Sequence, residues 1–307
     1  MKKLSLILFS IIIFLASEIN AQQRIDLDLR LVPKKEKNFY LLKKNFINKK
    51  SIKIGEDVYK ITRSKNELFI DEYYDTRLHS LFYNDASLRY RQRYVDDVNT
   101  KNFIQFKTKR QKEKSGSNEF KIEINPEVKL TFFQDVKDFI NRPRNQNSKL
   151  YKELDQYINT SKIIPIFSEN QRRDRFYLID NNNNTIFTVS FDEVVYSKEL
   201  LNKTYFVVEF EINEKVMAKS TEVHSSILVK NLEEFVQSLD KQNILFKRTL
   251  ESKYITGIKK LGLKPKNQDI IEIMIVLFAL VSILILFCIP ILSRIWSPKN
   301  NKTNLES

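Results

Sequence analysis

The densest chemistry in the chain lies between Tyr73 and Arg110. Ser87, Arg89, Arg91 and Arg93 alternate with Leu88, Tyr90 and Gln92, and Gln105, Lys107 and Lys109 alternate with Ile104, Phe106 and Thr108. A period of two is that of a β-strand, so each run sets its cations on one face. Arg grips an oxyanion with two parallel hydrogen bonds and Lys neutralises it as a point charge, so such a face suits an anion. A solvated face of a two-layer sheet carries the same pattern. Carboxylates recur at the same spacing: Asp26 and Asp28 share a face with Arg30, and Glu209 shares one with Glu211. Oxygen ligands so spaced could hold a divalent ion beside a phosphate, or could equally face water.

Positioning these groups takes several antiparallel strands. Alternation marks strands at residues 24–32, 57–62 and 67–74, two through the basic stretch, and another at 119–125, where Glu119, Lys121 and Glu123 share a face. Residues 171–180 and 185–196 read as a hairpin about Asn181 to Asn184, a turn whose Asn residues tolerate positive φ. Arg173 and Arg175 share a face of its first arm, and Thr188, Ser190 and Asp192 one of its second. Strands at 205–212 and 246–255 complete the set, the last carrying Lys253. Helical periodicity marks an amphipathic segment with Phe39, Leu42 and Phe46, a block over 126–170, and a long helix over 220–239. The fold class is therefore α+β. A small barrel normally fills its interior with apolar side chains, so alternation alone leaves open which face points inward.

Composition narrows the partners. The 307 residues carry 52 Lys plus Arg against 38 Asp plus Glu, a formal net charge of +14, which favours a polyanion or an anionic membrane surface. Four Gly exclude a glycine-rich phosphate loop, and one Cys, Cys288, excludes an intramolecular disulfide and a cysteine-built metal site. His79 and His224 are too few for a zinc cluster. The aromatics interleaving the basic strands lie on the face opposite the cations, which argues against stacking of nucleic-acid bases, and no specific nucleic acid is expected.

The N-terminal end reads as a cleaved export signal, with an uncleaved anchor as the alternative, and the C-terminal end as a membrane span. Met1-Lys2-Lys3, the apolar run Leu4 to Ala16 and Ile19-Asn20-Ala21 have the form of an export signal over 1–21. Ile273 to Leu292 is apolar without interruption, long enough to cross a bilayer, and Arg294, Trp296 and Lys299 follow it. The expected organisation is a main domain over 22–262, a basic tether over 263–269, a transmembrane helix over 270–293 and a cytoplasmic tail over 294–307. The main domain would then lie outside the cytoplasm, held to the membrane by the C-terminal helix.

The ordered motifs resemble the CYTH, or triphosphate tunnel metalloenzyme, superfamily, including its VTC-like polyphosphate polymerase branch. The resemblance runs through D-L-D-L-R at Asp26 to Arg30, Tyr73-Tyr74-Asp75-Thr76 leading to Leu88-Arg89-Tyr90-Arg91, and Gln105-Phe106-Lys107. It continues through the acidic strand holding Glu123, the pair Arg173 and Arg175, Ser190-Phe191-Asp192, Glu209-Phe210-Glu211 and Ser252-Lys253-Tyr254. It implies an eight-stranded antiparallel β-barrel, or tunnel, covered by helices, that binds triphosphate or inorganic polyphosphate. It further implies Arg30, Arg89, Arg91, Lys107, Lys109, Arg173, Arg175 and Lys253 as phosphate ligands. Glu123, Glu209, Glu211, Asp26, Asp28 and Asp192 become candidate ligands of Mg2+ or Mn2+, with Glu209, Glu211 and Lys107 as catalytic residues. The expected activity is metal-dependent phosphohydrolysis. The alternatives are a non-catalytic polyanion-binding module, or a VTC-like polymerase if the domain faces the cytoplasm. Asp and Arg in the opening motif, where the superfamily usually has Glu and Lys, set the carboxylates further back.

Overall fold

The computed structural model of the chain describes residues 22–108, 116–126, 148–158, 162–239, 245–263, 277–280 and 282. Two units emerge, one ending at Leu263 and one running from Lys264 to Ser307. The strands of the first are β1 (Gln22–Pro33), β2 (Ser51–Ile54), β3 (Asp57–Arg63), β4 (Glu67–Thr76), β5 (Ser87–Val95), β6 (Val98–Lys107), β7 (Gly116–Ile124), β8 (Ile163–Ile179), β9 (Thr185–Lys198), β10 (Leu201–Ile212) and β11 (Phe246–Thr249). Its helices are α1 (Glu36–Asn48), α2 (Ser80–Tyr83), α3 (Lys149–Ile158), α4 (Glu214–Lys219), α5 (Glu222–Leu239) and α6 (Lys253–Lys260).

All the strands join one antiparallel sheet, in the order β2-β3-β8-β4-β5-β6-β7-β1-β10-β9, with β11 on β1 and a further pairing of β9 with β8. Among the described residues eleven strands stand where eight were expected. The additions are edge pieces. The β2–β3 hairpin, turning at Gly55 with φ +61°, extends the edge of β8 beyond β4, and β11 lies against the end of β1.

The alternation sends the charged faces toward a common interior and the apolar faces outward under the helices. Phe39, Leu42 and Phe46 of α1 and Leu228, Leu232 and Phe235 of α5 cover Phe176, Phe187, Val189, Phe191, Val208 and Phe210 of β8, β9 and β10. A second cluster places Leu150 and Leu154 of α3 over Leu88, Tyr90, Ile104, Phe106, Phe120 and Ile122 of β5, β6 and β7. Burying a side chain of this size is worth about 1.5–3 kcal/mol, so this inverted arrangement rests on its outer apolar layers.

Two expected elements changed type. Residues 163–170, read as the end of a helical block, begin the 17-residue strand β8. Pro165 there lies opposite Tyr74 at a register shift, a position that tolerates a residue without an N–H. The expected closing strand over 246–255 stops at Thr249, and Lys253 instead opens α6. Ser252 is the cause: its hydroxyl caps the new helix by accepting from the Ile255 N–H at 3.2 Å. The export segment over 1–21 lies outside the described residues. So does the span over 270–293, save residues 277–280 and 282, which are helical. Among the described residues no helix is long and apolar enough to cross a membrane.

Candidate functional site

The inward faces enclose a cavity of about 410 Å³ to which β1, β4, β5, β6, β7, β8, β9 and β10 all contribute, together with the start of α6. Its described lining residues include ten cations, Arg30, Arg89, Arg91, Arg93, Lys107, Lys121, Arg173, Arg175, Lys215 and Lys253, against three carboxylates, Asp28, Glu209 and Glu211. Of the expected phosphate ligands all but Lys109 are there, and Lys109 lies outside the described residues.

Four further carboxylates, Glu67, Asp71, Glu119 and Asp192, are buried behind the lining and hold the cations in place. Asp71 receives Arg91 through Nε and Nη2, both at 2.6 Å, and Arg89 through Nη1 at 3.0 Å. Glu67 pairs with Arg93 and, at 3.2 Å, with Arg175. Glu119 pairs with Lys107 at 3.1 Å and Lys121 at 3.6 Å. Asp192 takes both Nε and Nη2 of Arg173 at 2.6 Å, and Lys253 at 2.7 Å. Counting both layers together with Glu169, buried beside Asp71, the ten described cations still exceed the eight described carboxylates. A ligand therefore meets guanidinium groups whose orientation is already fixed, which reduces the ordering cost of binding.

The wall built by β1 and β10 differs. Arg30 donates from Nε to Glu209 at 2.8 Å and bonds Asp28 as well, while Arg173 reaches the other oxygen of Glu209 at 2.5 Å and Lys253 approaches at 3.2 Å. Asp28 stands directly opposite Glu211, and Arg30 opposite Glu209, in the strand register. Burial would raise the Glu209 carboxyl, but Lys253, Arg30, Arg173 and Lys107 outweigh it and hold that group well below the usual range. Burial acts on Asp71 in the same direction and is likewise overcome, there by Arg91 and Arg89.

These carboxylates do not gather into a metal site in this arrangement. Among the described residues no group of three or more His, Cys, Asp or Glu side chains is placed to hold an ion. Arg30 lies between Asp28 and Glu209, and both oxygens of Glu209 already face cations. The remaining expected ligands are dispersed. Asp192 lies behind Arg173, and Glu123 is an exposed residue at the end of β7, paired with Lys101 at 3.0 Å and absent from the cavity lining. The side chain of Asp26 is outside the described set.

The floor is apolar and aromatic. Tyr73 stacks on Phe167 with centroids 4.8 Å apart and on Tyr254 at 5.4 Å, and Tyr254 donates to Asp75 at 2.6 Å. Glu169 is buried nearby with neither oxygen hydrogen-bonded among the described residues. Burial and the adjacent Asp71 push its carboxyl up to about 7 against the pull of Lys253, Arg89 and Arg91. Glu67, Asp71 and Glu169 were not singled out from the sequence, and Glu119 was placed on a charged face with Lys121 and Glu123 but given no role there. The first two alternate with Phe69 and Tyr73 on one face of a recognised strand, a signal that was available. Glu169 fell in the segment read as helical.

Comparison with known proteins returned no matching family model and no matching curated protein. Solved structures with a similar arrangement include a protein from Pyrococcus horikoshii OT3, at 16% identity and TM-score 0.46, covering 76% of this chain and 99% of that one. Another is an adenylyl cyclase-like protein from Hippeastrum described as having a dominant triphosphatase activity, at 16% identity and TM-score 0.46, covering 76% and 95%. A third is an RNA triphosphatase of S. pombe, at 10% identity and TM-score 0.36, covering 78% and 92%. The Hippeastrum and S. pombe proteins are each described by a triphosphatase activity.

Proposed function

We propose that the β8–β9 pairing makes the eight inward-facing strands the wall of a tunnel, and that this tunnel binds inorganic triphosphate or polyphosphate. The observation that carries the reading is the lining itself, ten cations against three carboxylates in one cavity. Most of these cations are tied to buried carboxylates behind or beside them. Guanidinium groups with remaining N–H donors match the repeated oxyanions of a phosphate chain, and a shielded cavity strengthens each charge-assisted bond. The apolar runs at 4–16 and 273–292 support a place for this domain outside the cytoplasm at a membrane.

Hydrolysis of the bound chain is the second reading, favoured by the position of Asp28, Glu209 and Glu211 together on one wall. Mg2+ or Mn2+ at those carboxylates would polarise phosphate oxygens. That use of the wall requires Arg30 to release Asp28 and Glu209. The deciding measurement is calorimetric binding of tripolyphosphate run beside phosphate release, with and without Mg2+ or Mn2+. Binding without release establishes a capture module. Metal-dependent release that is lost in Glu209→Gln establishes the hydrolase. Absence of binding under every condition overturns both.

A further inference from the structure

A second cavity, a groove of about 690 Å³, adjoins the first and shares Asn213 and Lys215 with it. It runs between the tip of the β8–β9 hairpin, at Asn184 and Thr185, and the start of α5, at Thr221 and His224. Lys215 and Lys219 are one turn apart on α4, so both present to the same side, and both are exposed. Amides and hydroxyls share the intervals with Ile186 and Val216, and no carboxylate side chain is among the described lining residues. Apart from the imidazole of His224 the described lining residues carry no aromatic ring. We propose that this groove receives the continuation of a phosphate chain whose end occupies the tunnel, so that the ligand is a polyphosphate longer than triphosphate.

The inference rests on the tunnel reading and adds the ligand's length and direction of exit. Lys215 stands at the junction and belongs to both cavities, which gives the chain a continuous positive path rather than two separate sites. A nucleoside or RNA attached to the triphosphate would instead call for stacking surfaces that this groove does not provide. The groove is open to solvent, so its contribution is electrostatic and screened by salt.

The test measures affinities of the full-length chain for tripolyphosphate and for a medium-chain polyphosphate, in the unaltered protein and in Lys219→Glu. Lys219 lines the groove and not the tunnel. The expected result is that the longer chain binds the unaltered protein more tightly. Lys219→Glu should then weaken the longer chain about five- to tenfold at low salt while changing tripolyphosphate less than about twofold. Equal affinities for the two ligands, an equal loss for both in the variant, or tighter binding of a 5′-triphosphorylated oligonucleotide than of polyphosphate would overturn the groove assignment and leave the tunnel reading standing. Failure of tripolyphosphate itself to bind would overturn the two together.

Discussion

Two walls of the same cavity solve opposite electrostatic problems. On the β4–β5 side one buried carboxylate serves two guanidiniums: Asp71 holds Arg89 and Arg91, and Glu67 holds Arg93 while also reaching Arg175 on β8. On the β1–β10 side two carboxylates, Asp28 and Glu209, are drawn onto one guanidinium, Arg30, and Glu209 is shared further with Arg173 and Lys253. The first wall has donors to spare for a ligand. The second has oxygens that the cations must neutralise before an anion can approach. Under the proposed function, affinity belongs to the first wall and any chemistry to the second.

The sharpest way to break that division is to remove Asp71. Asp71→Ala leaves Arg89 and Arg91 buried without their counter-charge, a loss of about 3–5 kcal/mol in denaturant unfolding. Glu211→Gln on the other wall should cost far less, and equal losses would show that the walls are not distinct. In titrations with tripolyphosphate, Arg91→Ala should weaken binding about tenfold to a hundredfold, as expected for losing charge-assisted bonds worth about 1.5–3 kcal/mol. Glu211→Gln should bind as well as the unaltered protein or better, since it deletes a repelling charge. A weaker Glu211→Gln would place that carboxylate in ligand binding after all.

Acid and base behaviour sharpens the comparison further. Asp71 and Glu209 are held below their unfolded values, so the stability they confer is complete above an ordinary carboxylate pKa and disappears as pH falls through their lower folded values. Glu169 runs the other way. Its folded carboxyl is pushed up to about 7, so the unfolded chain releases the proton first and stability declines as pH rises from the usual carboxylate range toward 7. Glu169→Gln should therefore raise Tm at pH 8 relative to the unaltered protein and give no such gain near pH 4. A variant with the same Tm difference at both pH values would mean that Glu169 does not titrate there. The smallest effect is expected at Glu123. Exposed and paired with Lys101 at the surface, it should tolerate Glu123→Gln within about 0.5 kcal/mol and with unchanged ligand affinity.

The cationic wall was legible in the sequence because strand alternation is local: Arg89, Arg91 and Arg93 share a face whatever else the chain does. That this face points inward was not legible from alternation, which is blind to which side a helix will cover. Only the resemblance suggested it, and the packing of Phe39 and Leu228 on the outside decides it. The carboxylates were harder, because their roles depend on depth along a strand. Glu119 and Glu123 have the same parity on β7, yet one is fully buried against Lys107 and Lys121 and the other is exposed at the strand's end. The start of α6 was missed for another reason. Thr249 to Tyr254 fits a strand by composition, and only Ser252 in capping position distinguishes it.

Arg30 and Glu209 are 179 positions apart in sequence, as are Tyr254 and Asp75, and Lys253 lies 61 beyond Asp192. Loop-closure entropy opposes such meetings until the strands between them have found one another. The hairpins β4–β5 and β8–β9 are local and can form early. The charged interior, by contrast, is assembled when the two ends of the domain come together. A polyanion bound there would act on the barrier for opening rather than on the barrier for folding. In stopped-flow experiments it should slow the unfolding limb and leave the refolding limb where it was, making the ligand a brake on the protein's loss rather than an aid to its formation.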